Sequence, residues 1–138
     1  MTVRFRIEVV TLDTTEGRVE HRFTSDLTVL AGPTGVGKTT LLELIKYGFG
    51  ANATIAPVAV THVESVSLDV RIGDERLRLT RSLDQAKRGK VRVTDLITQE
   101  RMLDHNVGDK QPSLNTLRRK LCWPGLAATL AAAFIIPV

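Results

Sequence analysis

The sequence predicts a mixed α/β domain, and three observations predict it. Apolar and polar side chains alternate with a period of two in separate stretches, a short continuous apolar run occupies residues 27–31, and apolar spacing switches to three and four residues directly after a glycine-rich loop. In the first alternating stretch Val3, Phe5, Ile7 and Val9 interleave with Arg4, Arg6 and Glu8, as in a strand with one buried face. Residues 13–17 are turn-forming, and Val19, His21 and Phe23 then interleave with Arg18, Glu20 and Arg22 to complete a hairpin. This pattern places His21 among packed core residues. The run at 27–31 suits a strand buried on both faces, as in the centre of a parallel sheet.

From Lys38 the pattern is helical, with Leu41, Leu42, Ile45 and Phe49 on one face and Gly48 and Gly50 at the end. Residues 51–61 are expected to form a loop. Val66, Leu68, Val70 and Ile72 then alternate with Ser65, Ser67, Asp69 and Arg71; a turn at 73–75 leads into Leu77 and Leu79, and 91–93 offers a further strand.

The chain has 138 residues, 43% hydrophobic and 25% charged, which suits one modest domain or part of a larger one and excludes disordered and collagen-like classes. A single cysteine, Cys122, excludes an internal disulfide framework and a cysteine zinc site. No basic-then-apolar leader opens the chain, so a cytoplasmic location is expected. His62 and His105 have no second ligand at metal-site spacing. The net charge of +4 permits a polyanionic partner. Residues 71–92 hold eight basic and three acidic side chains, a pattern open to two readings: a DNA-facing edge, or the solvated face of a hairpin.

The chemistry is carried by Gly32, Pro33, Thr34, Gly35, Val36, Gly37, Lys38 and Thr39, which match G-x-x-x-x-G-K-[ST]. Glycines let successive backbone N–H groups approach an anion closely. The following helix points its positive dipole end at the same place. Lys38 is placed to reach the β- and γ-phosphates of a nucleotide, Thr39 to ligate Mg²⁺, and Thr40 to contact the α-phosphate. ATP and Mg²⁺ are therefore the expected ligands.

Residues 25–50, SDLTVLAGPTGVGKTTLLELIKYGFG, together with the later pattern VSLDVRIGDERLRLTRS, resemble the ABC-type heads of the SMC, RecF and SbcC class, often grouped with AAA-family ATPases. The resemblance implies a P-loop NTPase fold in which antiparallel strands flank the P-loop strand and helix. It also implies ATP hydrolysis linked to DNA repair, recombination or defence. No Walker B segment, LSGGQ-like signature or heptad run is present, and the nearest Walker B candidate, residues 91–95, carries Arg92 and lacks a following Glu. Residues 1–117 thus resemble the N-terminal lobe alone, an ATPase only when a C-terminal lobe or a second head completes it, as in a homodimer. A small P-loop kinase and a non-catalytic nucleotide-binding fragment are the alternative readings.

Residues 118–138 stand apart: after Arg118, Arg119 and Lys120 no charged residue follows. This tail is open to three readings: a membrane anchor, a buried helix, or an ending foreign to the family. The third is preferred because composition changes abruptly, while Pro124, Gly125 and Pro137 leave too short a helical stretch to span a bilayer.

Overall fold

The structure is a computed structural model describing residues 4–102 and 104–107. Its framework is an antiparallel sheet in the order β2-β1-β3-β4-β5-β6. The strands are β1 (Phe5–Thr14), β2 (Gly17–Arg22), β3 (Val63–Ile72), β4 (Glu75–Ser82), β5 (Lys90–Asp95) and the short β6 (His105–Asn106). Two helices, α1 (Lys38–Gly48) and α2 (Pro57–His62), lie between β2 and β3 in the chain. The architecture is mixed α/β, and both expected hairpins form, β1 with β2 and β3 with β4.

The period-two pattern sorts side chains onto two unlike faces. Val66, Leu68 and Val70 of β3, Leu77 and Leu79 of β4 and Val91 and Val93 of β5 share one face and are essentially removed from water. Leu44, Ile45, Tyr47 and Phe49, from α1 and its C-terminal cap, complete that core. Burying a Leu or Val side chain contributes roughly 1.5–3 kcal/mol, so this seam holds the helix on the sheet. The approach is close at Gly48, where a Cβ would lie 2.9 Å from Leu68 Cδ1 and 3.3 Å from Val66 Cγ1.

The opposite face is polar and internally bonded. Arg78 donates to both carboxylate oxygens of Asp69 at 2.6 and 2.8 Å. Ser65 donates to Asp13 at 2.9 Å, and the Ser67 and Thr80 hydroxyls are 3.0 Å apart. Glu8 lies at the register shift between Ile7 and Val9 and accepts two bonds from Arg76.

Three expectations change. Residues 27–31 form no strand, and Leu27 and Val29 are 77% and 70% exposed. Both edges of β1 are taken, by β2 and by β3, so that framework offers this run no inner ladder. Its apolar character is therefore unmatched among the described residues. His21 is exposed rather than packed, because β2 is the outer strand of the sheet and is exposed along its whole length. Residues 57–62, expected as loop, form α2 with Pro57 in its first turn, where proline's fixed φ and missing N–H do no harm. The strand at 91–93 forms as β5. The tail at 118–138 lies outside the described residues. Among the described residues no helix is long and apolar enough to cross a membrane.

The close seam at Gly48 has a measurable consequence. Gly48→Val overpacks Leu68 and Val66 and should destabilise the domain by about 1–3 kcal/mol in urea denaturation. An unchanged midpoint would mean that α1 seats elsewhere.

Candidate nucleotide-binding site

The glycine-rich segment leads directly into α1. Gly35 and Gly37 have φ of +91° and +87°, the left-handed region where a side chain is strained, so their identity follows from the backbone path. Gly37 is the N-cap of α1, and no side chain caps the helix. The amides of a first helical turn have no intrahelical acceptor, and an acidic residue commonly sits there. Here the first turn holds Lys38, Thr39 and Thr40 and no acid. The sequence has left the positive end of the helix open to an external anion.

Lys38 turns back across the loop. Its Nζ donates to the carbonyls of Gly32 at 2.6 Å and Pro33 at 2.7 Å, placing an ammonium against the start of the loop. Thr34, Val36 and Thr39 are exposed, whereas Lys38 and Thr40 are half-buried. The Thr39 hydroxyl makes no hydrogen bond to another described residue. A phosphate fits this donor set: an ammonium, uncapped helix amides and glycines at positive φ. No cluster of three His, Cys, Asp or Glu side chains able to hold a metal occurs among the described residues.

The structure separates the carboxylates from this loop or occupies them. Asp69 points to the polar face, away from α1, and is held by Arg78. Asp95 Oδ1 accepts the amides of Ile97 and Thr98 and shapes a turn. Asp104 is bound by Arg101, whose guanidinium holds the carboxyl below the ordinary carboxylate range. Gln99 has a φ of +61° and donates to the Leu96 carbonyl, as a turn residue. Arg6 reaches Asp26 at 3.8 Å, ahead of the loop.

Arg81 is the residue that the sequence reading misplaced. Counted there among surface bases, it is 6% exposed. Its guanidinium donates to the carbonyls of Arg88 at 2.8 Å, Tyr47 at 2.9 Å and Ala51 at 3.2 Å, and lies 3.7 Å from the centre of the Tyr47 ring. Tyr47 in turn donates its hydroxyl to the Ser82 carbonyl at 2.6 Å. A cation at the carbonyl end of α1 is favoured by the helix dipole. Burial lowers the proton affinity of Arg81 and raises the pKa of the Tyr47 hydroxyl, with the neighbouring arginine charges opposing the latter. The signal was present in the sequence: Leu77, Leu79 and Arg81 share one strand face.

An uncapped helix behind a glycine loop, with a lysine folded over it and a free threonine beside it, defines a nucleotide-binding P-loop domain of the ATPase-like kind. A family model described as AAA domain matches residues 17–120, most of the chain, and the chain belongs to that family. Among curated proteins no relative matches it.

Replacing the buried guanidinium should expose how far the far end of α1 depends on it. Arg81→Leu leaves carbonyls of Tyr47, Ala51 and Arg88 without their donor and should cost about 2 kcal/mol or more of unfolding free energy. A loss under about 0.5 kcal/mol would refute the clamp.

Proposed function

We propose that this chain is the ATP-binding N-terminal lobe of an ATPase of the SMC, RecF and SbcC class, whose complete form couples ATP binding and hydrolysis to DNA repair, recombination or defence. The observation carrying this reading is the P-loop itself, where Lys38 bridges an uncapped, acid-free helix start. Bound phosphates would take over the Lys38 ammonium from the Gly32 and Pro33 carbonyls, a charge-assisted contact in place of neutral acceptors. ATP with Mg²⁺ supplies the phosphoryl group and the neutralising charge. The chain's own part is to cradle the phosphates with the backbone of residues 32–38, ligate the metal with the Thr39 hydroxyl, and touch the α-phosphate with Thr40.

Hydrolysis needs a water oriented for in-line attack, normally by a carboxylate or glutamine. The side chains of Asp69, Asp95, Asp104 and Gln99 are engaged in ion pairs or turns. This supports binding without turnover for the isolated chain. The unpaired apolar run at 27–31 supports completion by a C-terminal lobe or second head whose strands would cover it, since exposed apolar backbone of this kind favours pairing. The cytoplasm is the compartment that the single cysteine favours. A small-molecule kinase is disfavoured by the β3–β4 hairpin that follows α1 and α2 in place of alternating βα units.

Calorimetric titration with ATP tests the binding site. Lys38→Ala should abolish measurable binding with an unchanged circular dichroism spectrum; wild-type affinity in that variant would remove the assignment. In the same assay Thr39→Ala should lose most of the Mg²⁺ enhancement and Thr39→Ser should keep it, whereas equal enhancement in both would exclude the metal role.

Phosphate release by the purified chain should stay near background and be unchanged by Lys38→Ala. Steady turnover that disappears in the Lys38 variant would show that this chain already holds its catalytic carboxylate.

A further inference from the structure

β2 is an outer strand of the sheet and pairs on one side alone, with β1. All of its residues are exposed. The Phe23 amide turns inward to the Glu8 carbonyl at 2.9 Å and extends the β1–β2 ladder by one residue. Alternation along an antiparallel strand then turns the N–H and C=O groups of Val19 and His21 inward as well, and those of Arg18, Glu20 and Arg22 outward. The outward groups meet no backbone partner among the described residues.

An open edge of this kind is a template for another strand. Edges kept from pairing carry lysine or proline, or bulge out of line. β2 holds neither residue, and the register shift at Glu8 lies on β1. Its sequence matches itself instead. Two copies of β2 laid antiparallel about a two-fold axis beside His21 place Glu20 of each opposite Arg22 of the other, on the polar face. Those two positions make the hydrogen-bonded pairs of the new ladder, because their backbone groups are the ones that face outward. On the other face Val19 of each copy stands opposite Phe23 of the other. Val19 is 44% exposed and Phe23 half-buried, so this pairing takes apolar surface out of water. The neighbouring registers match less well. Centring on Glu20 sets Glu20 on Glu20 and Arg18 on Arg22, and like charges directly opposite are destabilising. Centring on Val19 sets Phe23 against Thr15, which lies in the β1–β2 turn.

We propose that the outer edge of β2 is a homotypic interface, at which two copies of this chain join their sheets edge to edge, antiparallel and in register about His21. Opposite charges and an aromatic residue facing a β-branched one are both favourable cross-strand pairs, and the two-fold axis makes each of them twice. The contact is one strand wide, so the association is weak and reversible. It involves neither the phosphate loop nor a nucleotide, and it does not rest on the ATP reading proposed above.

Disulfide trapping on the whole chain, with its native thiol removed by Cys122→Ser, tests the interface and its register. The two His21 positions form a non-hydrogen-bonded pair, whose Cα atoms stand about 4.5 Å apart, within disulfide reach. Under mild copper-phenanthroline oxidation His21→Cys should give a covalent dimer at least about tenfold faster than Val19→Cys or Phe23→Cys alone, whose own copies lie out of reach. An equimolar mixture of the Val19→Cys and Phe23→Cys chains should crosslink one to the other. Glu20→Arg added to His21→Cys sets like charges opposite at both pairs and should slow trapping at least about tenfold. Exchanging the charges, Glu20→Arg with Arg22→Glu, should restore it, which separates lost pairing from lost folding. Equal rates for the three single cysteines would reduce trapping to random collision and overturn the interface. Faster trapping through Val19→Cys than through His21→Cys would overturn the His21-centred pairing proposed here. Trapping that needs Mg²⁺-ATP, or that disappears in Lys38→Ala, would move the contact to the nucleotide sites and overturn the edge interface. Trapping that persists in a chain found not to bind ATP would uphold the interface and remove the ATP reading alone.

Discussion

The seam between α1 and the apolar face of β3 and β4 is the constraint on which the rest of the structure depends. The helix has two ends with different duties. Its amino end carries the glycine loop, Lys38 and Thr39; its carboxyl end is fixed to β4 by Arg81 and by the Tyr47 hydroxyl. Between them Leu44, Ile45 and Gly48 press into Val66, Leu68 and their neighbours. A phosphate loop is useful only if its amides are held still in a fixed direction. Here that direction is set by hydrophobic burial along the helix and by a buried cation at its far end.

The two faces of the sheet divide the work. The apolar face is covered by helix and supplies the rigidity behind the P-loop. The polar face is left open, and its internal charges are largely matched, Asp69 with Arg78, Asp13 with Arg18, Glu8 with Arg76. Pairs whose arginines stay this open to water contribute modestly to stability, but they cancel charge locally.

Much of this was legible in the sequence because it rests on local periodicity. Alternation in Val66, Leu68, Val70 and in Leu77, Leu79 gave the β3–β4 hairpin, and the three- and four-residue spacing after Lys38 gave α1. The phosphate loop was legible for the same reason, since its glycines answer to local backbone angles. What failed to appear was tertiary in origin. The run at 27–31 has the composition of a buried strand, but a strand requires neighbours, and the framework around it is already paired. His21 has the right alternation for a core position, yet β2 is the outer strand and is exposed along its length. Arg81 was lost among eight bases because charge was counted without regard to strand face; its buried place depends on carbonyls from a helix more than thirty residues away in sequence.

The central claim is that residues 32–40, held by α1, form the phosphate site. Hydrogen–deuterium exchange on the intact chain, with and without Mg²⁺-ATP, reports on those amides one segment at a time. The account predicts slower exchange over residues 32–41 on adding nucleotide, with β5 and the β4–β5 turn unchanged. Unaltered exchange at the loop at saturating ATP, or protection confined to β5 and the β4–β5 turn, would contradict it.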